Sequence, residues 1–420
     1  MPAPPHTGVR MIQLDVLRGV AIIMVLLRHA LVPWSKAGFL QYPMRFCWKL
    51  GWTGVDMFFV LSGFLIGGLL FKEILKTGKL DIKRFFIRRG LKIWPPYFLL
   101  IAVLFVELLY AGSSIRNALV TLLPNLIHLQ NYFDTYHGQM WSLRGHTWSL
   151  AVEEHFYLAL PIFLILLTRG WKNVSALSAI PVAAVAIIIA CTATRFITNW
   201  HGPFVLGTYQ YPTHLRIDGL FFGVLLAYLY HMKPAMLGRV GHHKWLLLIV
   251  GLALVLPMGF FEIGDHRWVW TIGFTMLYVG YGCIVLACVY TAPGDGPLGK
   301  IIFSLPARAL AWIGVFSYSI YLWQADLGLI PEHKWIMPYL PKHPISVNWA
   351  LSMGTYLALT ILAGAAMSKL VEMPVLAFRD RFFPPRIPIP TRPAPHDSSS
   401  VAIEVAMNQS AEPAAVVEKT

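Results

Sequence analysis

Apolar residues in this chain gather into blocks of about 20, and a helix of that length crosses the ~30 Å hydrocarbon core of a bilayer. Of 420 residues, 57% are hydrophobic and 13% charged, too few charges to cover a water-facing surface. A soluble enzyme, a nucleic-acid binder and a secreted disulfide scaffold are excluded on that ground. Barrel strands would be shorter and would alternate apolar with polar residues, a pattern absent from runs such as AAVAIIIA and LLLIVGLALVL. The sequence therefore predicts an all-α polytopic bundle of about ten spanning helices, at 14–33, 51–72, 92–112, 147–168, 176–197, 215–231, 243–262, 268–290, 309–331 and 348–370.

Cytoplasmic loops carry the excess of Lys and Arg. Placing the N-terminus inside puts 19 of these residues on the cytoplasmic side against 9 outside, so both termini are expected in the cytoplasm. The stretch MPAPPHTGVR carries no cleavage signature, and the first block is read as a retained helix rather than a signal peptide. The transmembrane domain is expected over 1–376. Residues 377–420, opening with FFPPRIPIPTRPAP and running into Ser, Ala and Glu, read as a disordered tail. The net charge of +14 is spread along the chain, which gives no patch for nucleic acid. Cys191, Cys283 and Cys288 lie in apolar blocks and Cys47 stands alone, so no disulfide framework or metal-ligand spacing arises.

Ionisable groups inside spanning helices cost about 2.5 to 3.5 kcal/mol each at the bilayer centre and are candidates for function. The first helix holds Arg18 and His29, 11 positions apart. At 100° per residue that is three turns plus roughly 20°, so the two share a face about 16 Å apart along the axis. Either alone could snorkel to an interface, but Arg28, off that face, suits this role better. Glu153 and Glu154, about two turns into a helix entering from outside, fall at the expected depth of His29. One of them could orient its imidazole, the other keeping a solvated head. Asp56, Arg216, Asp218, Tyr318, Tyr321 and Gln324 are expected at a similar depth, with Ser317, Tyr321 and Gln324 on one face at i, i+4, i+7. Such a polar chamber fits a reaction site or a transport site equally well.

The segment DIKRFFIRRGLKIWPPYFLL brings Lys83, Arg84, Arg88, Arg89 and Lys92 to the mouth of the third helix, with Pro95 and Pro96 expected to break its start. Guanidinium forks there could clasp the phosphates of a small molecule from the cytosol. A positive anchor on anionic headgroups is an equally good reading.

LDVLRGVAIIMVLLRHA, GWTGVDMFFVLSGFLI, RRGLKIWPPY, WSLAVEEHFYL, RIDGLFFGVLLA, SYSIYLW and VEMP, in this order, resemble the blocks of acyltransferase family 3 over residues 11–376. These are bacterial membrane proteins that move acyl groups from acyl-CoA to sugars and related hydroxyls. Two departures stand out: the family's paired arginines appear as Arg89 and Lys92, and Gln324 stands where many relatives carry His.

The resemblance implies an O-acyltransferase of the bacterial inner membrane with no permanently bound cofactor. Its donor would be acyl-CoA, acetyl-CoA above all, and its acceptor a carbohydrate-type hydroxyl of a surface or exported glycan or glycosylated small molecule. Arg88, Arg89 and Lys92 would take the donor's phosphates, and its pantetheine arm would pass Arg18. His29 would be general base with Glu153 steadying it; Asp56, Arg216, Asp218, Tyr318 and Tyr321 would line the substrate site. Some relatives append an extracytoplasmic hydrolase-like domain, so this chain is expected to act alone or with a separate extracytoplasmic transferase. A transporter or flippase of a lipid-linked saccharide is the reading from another class, and it would need no thioester.

Overall fold

The computed structural model describes residues 11–30, 41–137, 145–199, 204–329 and 345–384. Its α-helices are α1 (Ile12–His29), α2 (Gln41–Gly51), α3 (Gly54–Thr77), α4 (Ile82–Tyr110), α5 (Ile115–Leu126), α6 (Gln130–His137), α7 (Trp148–Leu167), α8 (Ile180–Asn199), α9 (Leu206–Tyr209), α10 (Ile217–Met232), α11 (Pro234–Gly241), α12 (Lys244–Val255), α13 (Ile272–Val289), α14 (Gly296–Ile302), α15 (Leu305–Val315), α16 (Ser317–Trp323), α17 (Ile345–Met367) and α18 (Met373–Phe382). Two π-helical segments, Gln324–Leu329 and Ser368–Glu372, follow α16 and α17. The described residues form no strand.

Among the described residues, six helical stretches are long and apolar enough to cross a membrane, and eight if the bent pairs α10–α11 (107°) and α14–α15 (50°) each count as one span. The chain is a multi-pass membrane protein. The expected ten spans differ from this for physical reasons. In α1, Asp15, Arg18 and Arg28 make three charges in 18 residues. The block at 243–262 is only 12 residues of α-helix before a 3-10 turn at Leu256–Gly259. The block at 309–331 is divided at Phe316, where α15 ends and α16 begins.

Pro95 and Pro96 do not break the third expected span. Helix α4 runs through them for 29 residues and includes the basic segment in its first turns. The missing N–H groups free the carbonyls of Leu91 and Lys92, a loss that membrane helices tolerate where neighbours supply other donors. Helix α5, whose start is capped by Ser114 accepting from the Asn117 N–H, occupies a stretch read as loop. Helix α18 continues to Phe382, past the expected start of the tail at 377; residues 385–420 lie outside the described residues.

Glycine sets how closely the helices pack. A Cβ on Gly19 would meet the Leu310 carbonyl oxygen at 2.0 Å, and one on Gly314 would meet the Asp15 carbonyl oxygen at 2.0 Å. Helices α1 and α15 therefore cross with their backbones touching. Gly63 and Gly223 do the same for α3 and α10, against Leu220 and Val60 carbonyls. Lipid tails give helices no hydrophobic reason to associate, so this backbone contact is a main source of their packing energy. The α1 crossing fixes the helix carrying Arg18 and His29 against the chain that leads into α16.

Candidate active site

Both polar groups on the shared face of α1 meet one neighbouring segment. Ser317 Oγ, at the start of α16, accepts from Arg18 Nε at 3.3 Å and Nη2 at 3.1 Å. Seven residues on, Gln324 Oε1 lies 3.0 Å from His29 Nδ1. An amide oxygen only accepts, so Nδ1 carries the proton and Nε2 is left as the basic nitrogen. Gln324 is buried, its Nε2 has no hydrogen-bond partner, and it opens the π-helical turn at 324–329. A π turn widens the helix locally, and such turns recur at functional sites. The His29 residue lies at the end of α1 and is exposed.

The expected Glu153–His29 pair is not the contact found. Tyr157 OH donates to Glu153 Oε2 at 2.6 Å. That phenol has one proton to give, so the Ser62 hydroxyl, 2.5 Å away, donates to it in turn. The Arg89 guanidinium lies 4.1 Å from the Tyr157 ring centroid. Glu153 acts electrostatically on Arg18, Arg89 and Lys92, and it is not among the groups acting on His29. A carboxylate in an apolar bundle goes to the nearest cations, and here these lie at the Arg18 end of α1. Glu154 accepts instead from Trp94 Nε1 at 3.2 Å.

Arg89 and Lys92, three residues apart on α4, share a face with Arg18 and with buried Glu372. Glu372 Oε2 accepts from Ser319 at 2.8 Å and Ser368 at 2.9 Å. Arg88 turns away from this group to α18, where its Nη2 is 3.1 Å from Asp380 and its Nη1 donates to the Phe383 carbonyl. Lys83 points to the surface. The basic segment thus serves two places, and Arg88 is separate from Arg89 and Lys92.

Asp56, Arg216 and Asp218 are brought together, but with one another and with Arg195. Arg216 Nη2 sits 2.6 Å from Asp56 and Arg195 Nη2 2.8 Å from Asp218. All four are at most 3% exposed. Arg195 also donates to the Leu215 carbonyl at 2.7 Å and to the hydroxyls of Thr192 and Thr275. Arg216 stacks 3.7 Å over the Phe274 ring. This network ties α3, α8, α10 and α13 to each other, with Asp56 Oδ2, Arg195 Nε and Arg216 Nη1 still without a hydrogen-bond partner. Arg195 is not among the residues expected from the sequence; it lies near the end of a strongly apolar run.

The two tyrosines are also committed. Tyr318 OH donates to the Ile93 carbonyl at 2.7 Å, and Tyr321 OH donates to the His146 carbonyl while meeting Ser149 Oγ at 2.7 Å. Among the described residues no group of three or more His, Cys, Asp or Glu could hold a metal ion.

Residues 11–369 match the profile of the family described as Acyltransferase domain. The chain belongs to acyltransferase family 3. The family's match takes in Arg18, His29, Arg89, Lys92, Glu153 and Gln324, so the geometry above lies within the matched region. The chain is 25% identical over 373 residues to O-acetyltransferase OatA of Staphylococcus aureus strain NCTC 8325, covering 86% of this chain and 56% of that protein. It is 27% identical over 371 residues to SACOL0978, named as an O-acetyltransferase, of strain COL, with the same coverage. The chain thus spans a little over half the length of these relatives. No solved structure matches it.

Proposed function

We propose that this family-3 acyltransferase is an O-acetyltransferase of the bacterial inner membrane. It would transfer acetyl from cytosolic acetyl-CoA to a hydroxyl of a surface or exported glycan or glycosylated small molecule. The observation that carries the reading is the double contact of α1 with one segment: Arg18 on Ser317 and His29 on Gln324. It holds a basic nitrogen at one end of the shared face and a cluster of cations at the other.

In this reading the donor's phosphates are divided between Arg88, beside α18, and Arg89 with Lys92, beside Arg18. The pantetheine arm runs along α1 past Arg18, with Glu153 and Glu372 balancing the cations there. The thioester then reaches His29, about 16 Å along the helix from Arg18. His29 Nε2 takes the proton of the acceptor hydroxyl as its oxygen attacks the thioester carbonyl carbon. The C–S bond breaks and CoA leaves as a thiolate, which the imidazolium proton neutralises. Gln324 serves twice: Oε1 fixes the protonated Nδ1, and Nε2, a buried donor without a partner, faces the oxyanion. Tyr318 and Tyr321 give their protons to carbonyls and brace α16. Asp56, Arg216, Asp218 and Arg195 hold the surrounding helices. The acceptor site lies on the His29 side, and a separate extracytoplasmic transferase would receive product there.

Protein in sealed vesicles, with acetyl-CoA outside and a saccharide inside, tests this against a transporter. Transfer predicts free CoA thiol in the outer medium and acetyl ester inside in equal amounts. Saccharide movement without thiol release would end the proposal.

A further inference from the structure

Asp380 stands between two arginines on the surface where α18 lies against α4. Its carboxylate is 3.1 Å from Arg88 Nη2 and 2.8 Å from Arg379 Nη2, and its side chain is 50% exposed. Arg379 also meets it through Nε at 2.9 Å. Arg88 in addition donates to the carbonyl of Phe383, the residue that ends α18, so a single guanidinium fastens the helix by its carboxylate and by its C-terminal carbonyl. Arg84 and Arg379 both act on Arg88, and Arg379 acts on Lys92 as well. Arg84 Nε is buried with no hydrogen-bond partner. Asp81 accepts from the Arg84 N–H and Glu73 from the Asp81 N–H at the start of α4. Arg379 contacts this exposed carboxylate through Nε and Nη2 and Arg88 through Nη2 alone, with Arg84 close by, a geometry and charge that suit a phosphate, which has more oxygens and more charge than the carboxylate it replaces.

We propose that Arg379 and Arg88 form a phosphate-binding site at the α4–α18 corner, and that Asp380 occupies it as an internal counter-anion until a phosphate displaces it. This deepens the proposed function and rests on it for the source of the phosphate, the 3′-phosphoadenosine end of the donor; the site itself does not depend on acetyl transfer. Arg379 then becomes a donor-binding residue outside the basic segment of α4. Displacement leaves α18 held to Arg88 by the Phe383 carbonyl alone, so donor binding loosens the α4–α18 contact. An exposed ion pair contributes only about 0–1 kcal/mol, which makes the carboxylate an easily exchanged occupant.

The test is equilibrium binding of tritiated adenosine 3′,5′-bisphosphate, a soluble fragment of CoA, to the full chain in phosphatidylcholine nanodiscs. Removing the competing charge as Asp380→Asn is expected to tighten binding about fivefold. Arg379→Gln and Arg88→Gln are expected to weaken it at least tenfold, and Arg381→Gln, on the same helix but directed at Phe382, to leave it unchanged. Unaltered thermal unfolding of each variant separates binding from folding. Equal affinity of Asp380→Asn and parent, or of Arg379→Gln and parent, overturns the proposal. A lipid phosphate is the rival source: if Asp380→Asn instead gains affinity only for discs containing phosphatidylglycerol, the donor assignment is wrong. Because the readout needs no turnover, a protein that binds the bisphosphate as described yet releases no CoA thiol would sink the transferase reading alone.

Discussion

Replacing Gln324 by Glu separates the two tasks given to this side chain. A carboxylate keeps an oxygen where Oε1 now lies, 3.0 Å from His29 Nδ1, so the tautomer and ring orientation survive. A charge-assisted bond there would be roughly twice as strong as the neutral one. What disappears is the Nε2 donor, which is buried and has no other partner. Loss of one oxyanion donor costs about 10²- to 10³-fold in kcat, or ~2.7–4 kcal/mol. If Gln324 only orients the imidazole, Gln324→Glu keeps kcat or raises it; if it also meets the oxyanion, kcat falls by about two orders of magnitude. The carboxylate also favours the imidazolium, so the acid limb of the pH–rate profile must move to higher pH. Steady-state turnover of acetyl-CoA at saturating acceptor, in membranes with matched protein content, reads all of this. A Gln324→Glu enzyme with parental kcat and an upward-shifted acid limb would refute the donor role while leaving the positioning role in place.

Asp218→Ala leaves the Arg195 charge buried without its 2.8 Å partner and should destabilise the protein by about 3–5 kcal/mol, read as a lower unfolding temperature in detergent. The double variant Arg195→Met/Asp218→Leu should recover most of that loss together with activity, which it could not do if Asp218 bound substrate. Gly314→Ala drives a methyl into the Asp15 carbonyl and should cost about 1–3 kcal/mol and lower turnover, because α1 must move relative to Ser317 and Gln324. Tyr318→Phe and Tyr321→Phe should each lose about 0.5–1.5 kcal/mol of stability with kcat within a few fold of the parent; a loss of a hundredfold in either would restore it to the chemistry.

Much of this arrangement was legible in the order of residues. The length of the apolar blocks gave a helical membrane protein, and the 11-residue interval put Arg18 and His29 on one face, where both meet α16. The i, i+7 spacing likewise placed Ser317 and Gln324 on one side of their helix. What the order of residues could not convey is where depth alone misleads. Glu153 was placed beside His29 by counting turns, yet three cations at the Arg18 end draw it there, and only the packing of α4 against α7 reveals them. Asp56, Arg216 and Asp218 read as lining a substrate site, because Asp56 and Arg216 pair across distant helices and the Asp218 partner, Arg195, sits in an apolar run. The expected spans and the helices long and apolar enough to cross differ where helices are short, bent or charged. Neither π turn has a signature in hydropathy, although one of them presents the side chain that holds His29.

The central claim is that one imidazole joins donor and acceptor, and His29→Ala in reconstituted vesicles tests it most directly. Labelled acetyl-CoA is supplied with saccharide, ester formation is counted, and thermal unfolding is measured on the same sample. The account predicts loss of ester formation by at least ~10²-fold with the unfolding temperature preserved. Parental ester formation by the folded His29→Ala protein would contradict it.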